Sequence, residues 1–275
     1  MNKALTKSHK SAIIVLSIGA VVMVFPFIWM ILSSLKSYGE AISIPLTIIP
    51  NVWRFDNYLK AMKLLPFSYL YFNTAMMILG RCLFAYFLCS MAGYSFARIK
   101  YPGRNFLFSL VLIQMMVPSQ VFIIPQYLMV LKLNWINTIP ALIFPGFVSA
   151  FGTFLLRQFY MTAPSSLEEA AIIDGANRWK IYWHIMLPLA KNSLMALSIF
   201  TALFAWKDLM WPIIVNTSIG KLTLSAGLAN LQGQYDTNIP VVLAGSVIAT
   251  LPMIVIFLSF QQHFVQGIAF TGTKE

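Results

Sequence analysis

The sequence predicts an all-α integral membrane protein with six transmembrane helices, and three observations carry that expectation. Of its 275 residues, 59% are hydrophobic and only 10% charged, whereas a soluble domain is about half apolar and a quarter charged. Six apolar stretches, 12–32, 68–91, 106–128, 138–156, 193–213 and 240–260, come close to the roughly 20 residues that a helix needs to cross about 30 Å of hydrocarbon. None shows the strict polar–apolar alternation, over about half that length, that marks a barrel strand.

The first stretch follows a basic leader (Lys3, Lys7, Lys10). Its apolar core is too long for a signal peptide and no small-x-small cleavage site follows, so an uncleaved anchor is expected. Residues 33–67 carry Pro45, Pro50 and Pro66 and mixed polarity, which predicts irregular chain with a short surface helix near 55–64. The second stretch holds Cys82 and Cys89, seven residues and about 10 Å apart along a helix, too far for a disulfide; packing is their expected role. Pro118 and Pro125 interrupt the third stretch and Pro140 and Pro145 the fourth, with a turn at 132–137 between them. Residues 216–238 are polar enough to lie outside the membrane, with a short helix around 226–232. Ala244, Gly245 and Ala249 in the last stretch permit close helix packing. No repeat or soluble domain is visible. The expected organisation is an anchor and external segment (1–67), a transmembrane domain (68–262) and a tail (263–275).

The net charge of +11 could suggest nucleic acid, but its distribution reads as topology, and no nucleic-acid partner is expected. Lys3, Lys7 and Lys10, then Arg98, Lys100 and Arg104, then Arg157, Arg178, Lys180 and Lys191 flank alternate spans. That bias places both termini and the even-numbered loops in the cytoplasm. Lys36, Arg54, Lys60 and Lys63 oppose it. Enzyme readings find little support. No G-x-x-x-x-G-K-[ST] phosphate loop is present. His9, His184 and His263 stand apart, without the Cys/His cluster that a metal site needs, and no Ser/His/Asp set can be placed together.

The most informative segment is polar and lies between the fourth and fifth spans: EAAIIDGANRWKIYWHIMLP, residues 169–188. Ser166 and Glu169 have the spacing of a capping box, and Glu168 and Glu169 complement a positive helix start. Ala170 and Ala171 keep the surface shallow for a partner. Gly175 permits a tight or left-handed turn after Asp174, and Asp174 is within reach of Arg178. A second helix is expected from Asn177 to Pro188, where the proline turns the chain into the fifth span. By itself this would be an ordinary capped surface helix.

The full pattern, from Glu169-Ala170-Ala171 through Asp174-Gly175-Ala176 to Ile185-x-Leu187-Pro188, resembles the cytoplasmic coupling loop of permease subunits in ATP-binding cassette importers. Further segments are similar to the sugar-importer branch: ARIKYPGRNF at 97–106, MMVP at 115–118 and FLLRQF at 154–159. FAWKDLMWPIIV at 204–215, GLANLQGQY at 227–235 and FVQG at 264–267 look like the smaller permease of maltose-type systems. The resemblance implies a non-catalytic subunit that moves a sugar or oligosaccharide across a prokaryotic cytoplasmic (inner) membrane. Its implied partners are a second, homologous permease forming a heterodimer, a cytoplasmic ATPase dimer, an extracytoplasmic solute-binding protein, the carbohydrate and membrane lipid. The chain itself would bind no cofactor, with ATP and Mg held by the ATPase. The implied coupling residues are Ser166, Glu168, Glu169, Ala170, Ala171, Asp174, Gly175, Ala176, Arg178, Leu187 and Pro188. The sequence departs from the family at Trp206-Lys207, where the branch usually has Trp-Asn, and at its last residues, 269–275. A permease for a non-sugar solute shares every feature of the loop, whereas an ion-coupled carrier would leave the loop unexplained.

Arg81, Lys207 and Asp208 fall inside expected spans. A charge there carries an insertion penalty of about 2.5–3.5 kcal/mol and so faces a cavity or a partner. Two readings stand open: the charges snorkel or pair with neighbouring helices, or Lys207 lines the translocation path and favours an acidic sugar. On the second reading the path residues are Gln114, Trp206, Lys207, Asp208 and Trp211.

Overall fold

The computed structural model describes residues 2–232 and 238–269, and every regular element among them is helical. The chain divides into two compact units, Met1–Pro66 with Leu228–Ile256, and Phe67–Gly227 with Phe257–Glu275.

In the first unit the opening helix, Asn2–Ser34, is strongly apolar over Ala12–Ser34, and only Ser33 and Ser34 at its end are buried. Such a helix, greasy on every side, has lipid as its natural surrounding. The segment that follows is ordered by polar contacts. Asn57 donates to the carbonyls of Ser34 (2.8 Å) and Lys36 (2.9 Å), and Tyr58 shares a hydrogen bond with Ser34. The expected surface helix is Asp56–Leu64. Lys36, one of the charges that opposes the topological bias, is buried: its ammonium donates to the Thr47 carbonyl and lies 4.8 Å above the Trp29 ring. The last helix, Ile239–Ala269, is apolar over Ile239–Val255.

The second unit starts with one long helix, Phe67–Arg98, containing a π-helical turn at Ala85–Cys89. Three bent pairs follow, Arg104–Met116 with Ser119–Lys132 (105°), Ile139–Gly146 with Ala150–Thr162 (48°), and Arg178–Leu189 with Lys191–Lys207 (72°). By length and composition two unbroken helices can cross a membrane, and each bent pair adds one crossing if it forms a single span. The bends have local causes. Pro118 holds Val117 in extended backbone (ψ 127°) and supplies no N–H, which stops the third span. Pro125 does not bend its helix, because it sits in the first turn of Ile123–Lys132, where no intrahelical N–H is required. Pro140 likewise opens the helix Ile139–Ile143, and Ser149 restarts the fourth span by accepting from Gly152 N (3.1 Å). The fifth-span bend falls at Ala190, two residues beyond Pro188. The short helix expected around 226–232 lies at Leu224–Asn230.

One correction bears on the site. Lys207 and Asp208 do not lie inside a continuous fifth span: Lys207 ends the helix and Asp208 turns to extended backbone (ψ 115°) before Met210–Val215 begins. Two apolar cores hold the unit together. One, under the polar loop, includes Tyr94, Leu156, Tyr160, Ala171, Ile181 and Met186. The other gathers Met77, Val130, Leu142, Ala205, Trp211 and Val215 from the second to fifth spans and the helix after them.

Candidate functional site

Two regions of the second unit carry chemistry. The first is the polar loop. Its leading helix is Ser165–Ile173, entered through Pro164 without a side-chain cap. The capping box is therefore corrected: Ser166 lies inside the first turn, because Pro164, with φ −60° and ψ 128°, already occupies the cap position two residues earlier. Asp174 ends the helix, Gly175 takes φ +79°, and Asn177 starts the next helix by accepting from Lys180 N at 2.9 Å. A left-handed residue between two helices is the position where glycine is favoured.

The two glutamates face different ways. Glu169 is exposed, as is Ala170 beside it. Glu168 is buried between two cations, with Arg98 Nε at 3.7 Å and Arg178 Nη1 at 3.5 Å. Arg98 also donates from Nε to the Tyr160 carbonyl (2.7 Å) and from Nη2 to the Ala163 carbonyl. Thus the loop helix is tied to the end of the second span, the end of the fourth and the helix that leads into the fifth. The expected Asp174–Arg178 contact does not form, because Arg178 is turned to Glu168. Ala171 is buried in the core rather than part of a shallow outer surface. Ala176 packs against the same core, Leu187 is buried in it, and Pro188 is exposed. What the helix leaves outward is Leu167, Glu169, Ala170, Ile172 and Ile173, the last 85% exposed. Arg98 was legible only as a topological charge. Its partner lies 70 positions later in the sequence.

Below that layer Ser90, Tyr160 and Tyr182 form a buried hydroxyl cluster, with the Ser90 Oγ 2.7 Å from the Tyr160 hydroxyl and 2.9 Å from that of Tyr182. It joins the second span, the fourth and the helix leading into the fifth by side chains that are polar yet satisfied.

The second region is a cavity of about 620 Å³. Arg81 and Asp208 meet at its wall, Nη2 to Oδ2 2.8 Å. The guanidinium also donates to the Leu142 carbonyl from Nε (3.0 Å) and Nη2 (2.7 Å), and its stem lies so close to Gly146 that a side chain there would collide with it. Trp211 donates its indole N–H to the Ala141 carbonyl at 2.8 Å. Of the residues that sequence reading assigned to a path, Gln114, Lys207, Asp208 and Trp211 line this cavity and Trp206 does not. Sequence reading missed Gln120 and Gln126 on the same wall, and the pairing of Arg81 with Asp208. Opposite charges inside two expected spans were the available signal for the pairing.

A family model for "binding-protein-dependent transport system inner membrane component" matches residues 85–270. The chain belongs to this family. It is therefore a membrane-embedded component of a transport system. The arabinooligosaccharides transport system permease protein of Bacillus subtilis is 36% identical over 254 residues, 91% of this chain and 90% of that protein. The diacetylchitobiose uptake system permease protein of Streptomyces coelicolor is 29% identical over 91% of this chain and 84% of that protein. The sn-glycerol-3-phosphate transport system permease protein of Yersinia enterocolitica is 28% identical over 93% of this chain and 94% of that protein. Among solved structures, a chain of a bacterial ABC transporter involved in the import of the acidic polysaccharide alginate matches with TM-score 0.79 and 21% identity, covering 95% of this chain and 98% of that one. At that identity the likeness establishes the all-helical fold.

Proposed function

We propose that this chain is the non-catalytic permease subunit of an ATP-binding cassette importer that moves a sugar or oligosaccharide into the cytoplasm. In this reading it pairs with a second, homologous permease, with both termini in the cytoplasm of a prokaryote whose inner membrane it crosses repeatedly. The helix Ser165–Ile173 seats its outward face on a cytoplasmic ATPase, which holds the ATP and Mg. A solute-binding protein delivers the carbohydrate from the other side. The substrate class rests on the relatives named for arabinooligosaccharides and diacetylchitobiose.

The observation that carries the coupling role is the state of that helix. Its outer face is exposed and apolar at Leu167, Ile172 and Ile173, while its inner face is anchored by Glu168 to Arg98 at the end of the second span and to Arg178 in the helix leading into the fifth. A helix held this way transmits a push on its outside to the spans behind it, which is what biasing a two-state transporter requires. Gly175→Val tests this. No neighbour lies within 4 Å of a side chain added at Gly175, so the variant meets only the backbone penalty of φ +79°, about 1–2 kcal/mol. The subunit should insert and assemble, but ATP-driven uptake should fall sharply. Normal uptake in an assembled variant contradicts the coupling role.

A further inference from the structure

The cavity beside Arg81 and Asp208 carries one more positive charge than negative, and the surplus sits on a side chain without a counter-ion. Arg81 and Asp208 neutralise each other at 2.8 Å. Lys207 lines the same space, is exposed to it and, among the described residues, has no carboxylate within 4 Å; its ammonium lies 5.6 Å from the centre of the Phe204 ring. A cation lining a cavity among membrane-type helices is costly unless water or a ligand anion meets it. Around it stand the amides of Gln114, Gln120 and Gln126, each able to donate to and accept from a hydroxyl. The volume, about 620 Å³, lies in the range of small-molecule sites, about 300–1,000 Å³.

We propose that this chain itself carries a saccharide subsite selective for an anionic sugar, in which Lys207 pairs with the ligand's carboxylate or phosphate and the glutamine amides hold its hydroxyls. The proposal rests on the importer reading and deepens it by naming a substrate class. Phe204, largely exposed on the same wall, offers an apolar face to the C–H side of a sugar ring. Arg81 is a poorer candidate for the anion, because Asp208 and the Leu142 carbonyl already occupy its donors.

The test uses the whole assembly in detergent, without the binding protein, so that affinity reports the permeases. Three probes are titrated by intrinsic tryptophan fluorescence: a uronic-acid disaccharide, a hexose phosphate and a neutral disaccharide. At least one of the charged probes should bind about tenfold more tightly than the neutral one, and raised salt should erase that margin. The tighter of the two charged probes identifies the source of the anion. Lys207→Gln should abolish the preference and Lys207→Arg should keep it. Equal affinity for charged and neutral probes in the natural protein, or an undiminished preference in Lys207→Gln, overturns the assignment. If Lys207→Gln does not assemble, the salt dependence of the natural protein decides alone. Separately, ATP-driven uptake of any saccharide checks the importer reading, so an importer indifferent to sugar charge would sink only the Lys207 assignment.

Discussion

The buried Arg81–Asp208 pair supports a quantitative prediction about the intramembrane architecture. Arg81 is 7% exposed and fixes the break in the fourth span, through Leu142, to the end of the fifth, through Asp208. Removing one partner of a buried pair costs about 3–5 kcal/mol, because the survivor is left charged and alone. Here two features lower that figure. The Asp208 side chain retains 20% exposure to the cavity, and Arg81 keeps its carbonyl acceptor in an Asp208→Asn variant. A cost of about 2 kcal/mol is therefore expected for Asp208→Asn, and about 2–3 kcal/mol for Arg81→Met, which strips the Leu142 carbonyl of its donor. Neutralising both removes the stranded charge, so Arg81→Met/Asp208→Asn should cost less than the two single changes summed, by about 2 kcal/mol. Thermal unfolding in detergent reads this from tryptophan emission. At about 2–4 °C per kcal/mol, each single variant should melt several degrees lower and the double variant should melt close to Arg81→Met rather than at the summed loss. Strict additivity, or single variants that melt with the natural protein, would refute the pairing.

Other expectations follow from the loop and the segment after the first helix. Glu168→Gln should lower the melting temperature by the equivalent of about 1–2 kcal/mol, since Arg98 keeps two backbone acceptors while the loop helix loses its charged tie; Glu169→Gln, on the exposed face, should not move it. Asn177→Ala removes the cap that accepts from Lys180 N and should cost about 1 kcal/mol, visible as faster proteolysis between Asp174 and Lys180. In the helix Asp56–Leu64, the Lys60 ammonium hydrogen-bonded to Asp56 lowers that carboxyl below its usual value. A depressed folded value stabilises above the unfolded one and is lost as pH falls through the folded one. The small difference in melting between natural protein and Lys60→Met should therefore close on acidification; a difference that stays constant would contradict the pair.

The sequence made the all-helical, apolar character legible because long apolar runs have few alternatives; among the described residues two helices are long and apolar enough to cross a membrane unbroken and three more candidates are bent pairs. It made the turn at Gly175 legible because a motif and a backbone requirement coincide there. Bends were only half visible. Pro118 and Pro125 look alike in sequence, yet one breaks the third span and the other opens a helix, and only the register of the helix start separates them. The capping box failed for a related reason: Pro164 holds the cap position and the helix starts at Ser165, so Ser166 arrives two residues too late to cap it. The roles of Glu168 and Glu169 could not be told apart locally. Which of two adjacent carboxylates turns inward depends on Arg98, brought in by tertiary packing from the end of the second span. The same holds for Arg81 and Asp208, whose attraction was readable as two costly charges but not as one contact. Residues 233–237 and 270–275, including part of the 227–235 segment and the end of the tail, lie outside the described residues.

The central claim is that this chain works only as part of an ATP-driven assembly. The most direct measurement is purification of the tagged chain from its native membrane in mild detergent, with mass spectrometry of the co-purified subunits and uptake after reconstitution. A second permease and an ATPase should accompany it, and saccharide uptake should require ATP and a sugar-loaded binding protein. A chain that purifies alone and transports in vesicles without ATP would contradict the account.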